Sequence, residues 1–169
     1  MKTLIVAIVA TCCFSLAHAD SVTMPFSLPW MNAANSPATY SSADHADGVF
    51  VVENYFLGCP YCNDNASNVN DLAGKYLNQP RVQVLDVGVD TDDSDYAEWI
   101  SDHTPNHPVL NDGNMTLTGQ LGTSGYPSTY VIDCKGNVVY SHSGEWDSGD
   151  ESKIAQAIDA QLALPCSAH

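Results

Sequence analysis

Two cysteines separated by two residues stand in the stretch VFVVENYFLGCPYCNDNASNVNDLAGKYL, residues 49–77. Cys59 follows a glycine that breaks an apolar run, and Pro60 suits the first position of a helix. The free amide groups and the dipole of a helix start favour negative charge. A cysteine so placed ionises near neutral pH, and a thiolate is the form that attacks sulfur. Cys62, one turn later, is placed to attack a mixed disulfide formed at Cys59. The spacing therefore predicts a redox-active pair, with Cys59 as nucleophile and Cys62 as resolving thiol. Two other readings compete. A zinc half-site needs a second pair of ligands, for which the sequence offers His103 and His107 in a loop where imidazoles are usually solvated. A structural staple across so short a loop restrains the unfolded chain little.

Glu53 stands six positions before Cys59, in the middle of the apolar run. Strand alternation puts Glu53, Tyr55 and Leu57 on one face, beneath the helix start. A carboxyl buried there is neutralised rather than charged, which suits it to take the proton of Cys62 during resolution. The competing reading leaves Glu53 at a sheet edge in water. A third piece is GTSGYPSTYVID, where Pro127 precedes a strand and costs no ladder bond. A cis bond is accessible at an X-Pro position; it would turn the Tyr126 backbone toward the dithiol, where an extended substrate could pair. Pro60 and Tyr61, between the cysteines, would meet the same substrate.

These groups need a scaffold. Val49–Phe56 reads as a strand covered on both faces. Val69, Leu72, Ala73, Tyr76 and Leu77 recur at helical spacing, and residues 81–89 form a second apolar strand. Ser94–His103 reads as a helix capped by Asp92 or Ser94. A Pro- and Asn-rich stretch from Thr104 to Asn114 reads as a loop, followed by a short helix over Met115–Leu121. Strands at Ser128–Ile132 and Val138–His142 flank a turn at residues 133–137, and a last helix ends at Pro165. Before all of these, Phe26–Leu28 and Ala38–Tyr40 read as short strands around a turn at Asn35-Ser36-Pro37. The pattern predicts an α/β fold with a mixed central sheet flanked by helices and an N-terminal β-hairpin extension.

The first nineteen residues read as a leader: Lys2, a short apolar run and Ala17-His18-Ala19 before a cleavage point. A lipidated Cys12 is the alternative, though Thr11 suits it poorly. Cleavage would leave one domain, residues 20–169, in an oxidising compartment, periplasmic or secreted, where the four remaining cysteines favour disulfides. Without Lys2, four basic side chains (Lys75, Arg81, Lys135, Lys153) face twenty Asp and Glu, a formal charge of −16. Such a surface repels phosphate backbones and disfavours nucleic acid.

The C-P-Y-C motif, the carboxylate six residues before it, GYPSTYVIDCKGNVVYSHSGEW and the last helix together resemble the thioredoxin superfamily, in its exported redoxin branch of TlpA- and ResA-like proteins. The likeness spans most of residues 24–164. It implies a thioredoxin-like fold, thiol–disulfide exchange at Cys59 and Cys62, a cis bond at Pro127 and a proton-handling carboxylate at Glu53. It also implies no cofactor, protein thiols or disulfides as substrates, a membrane or soluble redox partner, and a monomer. Gly58 stands where many members carry tryptophan, and the direction of electron flow stays open. A Sco-like copper carrier is the alternative, using the same cysteines with His142 as third ligand. In the inferred fold, a strand from Ser128 and a helix ending near Leu164 are each roughly 20 Å long. The helix should then end beside the turn and pair Cys134 with Cys166. The competing reading makes either thiol a relay partner of Cys59.

Overall fold

The seven residues Val49–Tyr55 are all buried, and their β-branched and aromatic side chains fit a strand with neighbours on both sides and layers on both faces. The computed structural model describes residues 21–35 and 38–166. The leader with Cys12, and Ser36-Pro37 of the expected turn, lie outside the described residues.

Seven strands form one sheet: β1 (Ser27–Trp30), β2 (Ala38–Ser41), β3 (Val49–Tyr55), β4 (Val82–Gly88), β5 (Val109–Asn111), β6 (Ser128–Ile132) and β7 (Val138–Ser143), in the order β2-β1-β5-β4-β3-β6-β7. Strands β3, β4 and β5 run parallel, while β6 pairs antiparallel with β3 and β7 antiparallel with β6. The helices are α1 (Pro60–Tyr76), α2 (Asp93–His103), α3 (Thr116–Gln120) and α4 (Asp150–Leu162). One sheet face packs Val49, Val51, Val84 and Val131 against Val69 and Leu72 of α1 and Ile154 and Ile158 of α4. The other packs Phe50, Val52 and Ile132 against Phe26, Leu28 and Tyr40 of the hairpin and Leu117 of α3. This is the expected thioredoxin-like architecture.

Two local expectations are corrected. The stretch from Thr104 to Asn114 is not all loop, because β5 lies within it. Three residues carry no readable period. Their place comes from partners, with Val109 beside Asp86 of β4 and Leu110 beside Trp30 of β1. Through β5 the N-terminal hairpin, expected and present, joins the main sheet. Asp92 occupies the N-cap position of α2, yet neither its side chain nor that of Ser94 caps the helix. The side-chain cap falls to α3, where the Asp112 carboxylate accepts from the amides of Thr116, Leu117 and Thr118 and from the Thr118 hydroxyl. That device satisfies a helix start buried in the structure.

Cys134, in the β6–β7 turn, and Cys166, beyond α4, are joined by a disulfide with Cα atoms 6.1 Å apart. Gly136 of this turn adopts φ 90°, a backbone that favours glycine. Arg81 ties down the same end: its guanidinium donates to the carbonyls of Asp47, Leu162 and Leu164. The bridge closes a separation of 32 residues. Replacing both cysteines with serine should lower the unfolding free energy by about 3–4 kcal/mol in urea titrations, with thiol chemistry at Cys59 unchanged.

Candidate active site

Cys59 is the N-cap residue of α1, Pro60 opens the helix, and Cys59 Sγ accepts a hydrogen bond from the Cys62 amide at 3.1 Å. The two cysteines are joined by a disulfide, with Cα atoms 5.2 Å apart. Asn63 braces the loop by donating from Nδ2 to the carbonyls of Leu57 and Cys59. Asp90 accepts from the Leu57 amide at 3.0 Å. Both sulfurs are almost fully covered, but their neighbours Gly58, Pro60 and Tyr61 are exposed, Tyr61 to 62%. The dithiol is thus reached through a small apolar surface.

Beneath the helix start, Tyr55 stacks on Trp99 with ring centroids 3.9 Å apart, and both pack with Cys59, Cys62 and Ala66. Gly88 sits under this stack, where a Cβ atom would collide with Tyr55 and Tyr96. The Tyr126–Pro127 bond is cis, as is Met24–Pro25, which the sequence did not single out. The Tyr126 ring meets Phe56 edge-on at 5.5 Å and packs against the cluster that holds the two cysteines. The structure therefore brings Tyr126, Pro127 and the dithiol loop to one end of the sheet.

Glu53 is 3% exposed, which rules out the reading that leaves it at a sheet edge in water. Oε1 accepts from Asn65 Nδ2 at 2.6 Å and Oε2 from the Thr129 hydroxyl. Trp146 Nε1 donates to Thr129 Oγ1 at 2.6 Å. An indole N–H can only donate, so the Thr129 proton is left to point at Glu53. Asn65, which holds Glu53, follows Cys62 by three residues, one turn along the buried side of α1. Burial pushes the Glu53 carboxyl up to about 8. The bonds from Thr129 and Asn65 pull it down, and the negative charge of Asp86 adds to the rise.

The family described as Redoxin matches residues 19–158. The chain belongs to this family. Among curated proteins it is similar to the thiol:disulfide interchange protein DsbE of Vibrio cholerae, with 30% identity over 107 residues, covering 62% of this chain and 55% of that one. The DsbE protein of Yersinia pestis is 28% identical over 109 residues, covering 63% and 55%. The chain thus spans about half the length of the curated relatives it matches. Among solved structures, a DsbE-type thiol:disulfide interchange protein from Chlorobium tepidum superposes with TM-score 0.72 at 22% identity, over 86% of this chain and 97% of its own. A thioredoxin from Neisseria meningitidis gives 0.67 at 28% identity, over 82% and 87%.

In this redoxin, the copper arrangement is not assembled. His142 Nε2 is turned to the Glu145 carbonyl at 3.3 Å and lies 3.6 Å from the Asp150 carboxylate. Among the described residues, no three His, Cys, Asp or Glu side chains gather as a metal set. The zinc pair fares no better. His103 Nε2 contacts Asn63 Oδ1 at 2.9 Å, while His107 is buried against Asp86 rather than solvated in its loop. Asn65, Thr129 and Trp146 were missed by sequence reasoning. A signal existed for Thr129, which shares the inward parity of Val131 opposite Glu53. Asn65 lies at helical spacing from Val69 and Leu72, which marks its face but not its partner, and Trp146 stands alone among polar residues with no pattern to mark it.

The folded Glu53 holds its proton to about pH 8, whereas the same carboxyl in the unfolded chain releases it near 4.5. Its contribution to stability is fully present below the lower value and is lost as pH rises through the upper one. Between pH 5 and 9, urea titrations should show the unfolding free energy falling by a few kcal/mol. Glu53→Gln should flatten that decline.

Proposed function

We propose that this redoxin is an exported thiol–disulfide oxidoreductase acting on protein substrates. The observation that carries the reading is Cys59 Sγ at the N-cap of α1, held against the Cys62 amide and surrounded by an exposed apolar rim. In the reduced protein the same amide and the helix dipole favour the Cys59 thiolate. That thiolate attacks a substrate disulfide, forming a mixed disulfide and expelling one substrate thiolate. Cys62 then gives its proton to Glu53 in its ionised form and attacks Cys59 Sγ, which expels the second substrate thiolate and re-forms Cys59–Cys62. Two electrons pass to the substrate, and the reverse sequence oxidises a dithiol. Tyr61, Pro60, Tyr126 and Pro127 line the approach and would receive the substrate chain. A membrane or soluble redox partner resets the dithiol, and the leader at residues 1–19 directs the chain to a periplasmic or extracellular setting.

Glutathione-poised titration with alkylation gives the reduction potential, and with it the direction of flow. Cys59→Ser should abolish insulin reduction and refolding of a scrambled disulfide substrate. Glu53→Gln should slow release of the mixed disulfide by roughly a hundredfold and leave Cys59 alkylation unchanged. A reduced wild-type protein inactive in both assays would overturn the reading.

A further inference from the structure

Glu53 does not stand alone on its sheet face. Parallel register sets Asp86 of β4 directly beside it, and Asp86 is 3% exposed. Two buried carboxyls on neighbouring strands repel each other when both are charged. Asp86 has its own partners: Trp99 Nε1 donates to Oδ2 at 2.9 Å, and His107 Nε2 lies 3.0 Å from Oδ1. The last contact is off the line of a good hydrogen bond. The other ring nitrogen, Nδ1, faces Asn106 Oδ1 at 3.1 Å. Asn106 Nδ2 donates to the Asn70 carbonyl, which fixes the amide so that its oxygen is the atom facing the ring. Both imidazole nitrogens therefore face oxygen atoms of neighbouring side chains.

We propose that His107 is a positioning residue for the dithiol chemistry: set against Asp86, it offsets the charge beside Glu53 and so governs how readily that buried carboxyl ionises. His107 has a route to water. It lines a surface groove of about 190 Å³ with Tyr76 of α1, Gln79, Gln83 and Asn106. The titratable groups facing Asp86 are Glu53 and Tyr55 from β3 and His107 from the segment before β5. Helix α2 contributes the neutral Trp99, and the buried side of α1 carries no charged residue. With the His107 ring against it, the Asp86 charge is offset and Glu53 ionises more readily. Without that ring, the Asp86 charge is not offset and Glu53 keeps its proton to higher pH.

The mechanistic role rests on the oxidoreductase reading, but the coupling can be read without it. Glutamate labelled with ¹³C at the side-chain carboxyl reports Glu53 ionisation by NMR, the resonance being assigned by its loss in Glu53→Gln. Asp86→Asn should move the Glu53 midpoint down and His107→Gln should move it up, each by roughly one pH unit. In the Asp86→Asn background, His107→Gln should have no effect, a dependence that loss of packing would not produce. Should His107→Gln fail to fold, the exposed Asn106→Ala removes one acceptor from the ring and should give a smaller upward shift. Midpoints that stay put in these variants, or a His107→Gln shift that persists without Asp86, overturn the proposal. The pH profile of mixed-disulfide release should follow the NMR midpoints. Midpoints that move while release does not would uphold the coupling and remove Glu53 from the release step.

Discussion

A carboxyl in the central strand constrains much of this fold. Glu53 sits where every neighbour in β3 is buried, and an unpartnered carboxyl there would cost several kcal/mol. The structure answers with donors from three separate elements: Asn65 from α1, Thr129 from β6 and, through Thr129, Trp146 from the β7–α4 connection. Asn65 Oδ1 in turn accepts from the Trp146 amide and Asn68 Nδ2. Helix, sheet and the approach to α4 are thereby locked to one point. The lock is incomplete by design of its own charges, since burial and Asp86 still favour the protonated carboxyl. A group that is held rigidly yet remains able to exchange a proton is what resolution of a mixed disulfide requires.

The position of that network also explains the aromatic packing at the dithiol. Glu53 and Tyr55 share a face, one step apart along β3. Tyr55 stacks on Trp99, and Trp99 donates to Asp86. The aromatic layer under Cys59 and Cys62 is therefore tied to the polar row by a hydrogen bond, not only by contact. Gly88 makes the arrangement possible because its missing side chain leaves room for Tyr55 and Tyr96.

Much of this was legible from residue type and spacing. Long apolar runs announced β3 and β4, helical spacing announced α1, and C-P-Y-C with Gly58 before it placed the helix start. What escaped was of two kinds. Strand β5 is too short to show a period and exists because Asp86–Gly88 and Trp30 provide edges for it. Asn65 and Trp146 act across the fold, and a side chain that satisfies a distant buried group has no local signature. Asp86 and His107 belong with them. Asp86 does share the inward parity of Val82 and Val84, but His107 sits in a Pro- and Asn-rich segment that reads as solvated loop. Its burial follows from the folding of β5 onto β4.

The two disulfides lie at opposite ends of β3 and differ in what they close. Cys59–Cys62 spans three residues, whereas Cys134–Cys166 spans 32. Opening the first returns little freedom to the unfolded chain, so its redox state is weakly linked to folding. Opening the second releases the end of α4, which Arg81 holds through the Leu162 and Leu164 carbonyls. The proposed exchange cycle can then break and remake Cys59–Cys62 while the bridge at the far end keeps α4 on the sheet. Separation matters for specificity as well. With β3 roughly 20 Å long, neither Cys134 nor Cys166 can reach the dithiol. In the proposed cycle a mixed disulfide at Cys59 would therefore have Cys62 as its only thiol within reach among the described residues, and its resolution would depend on how readily Glu53 takes the Cys62 proton.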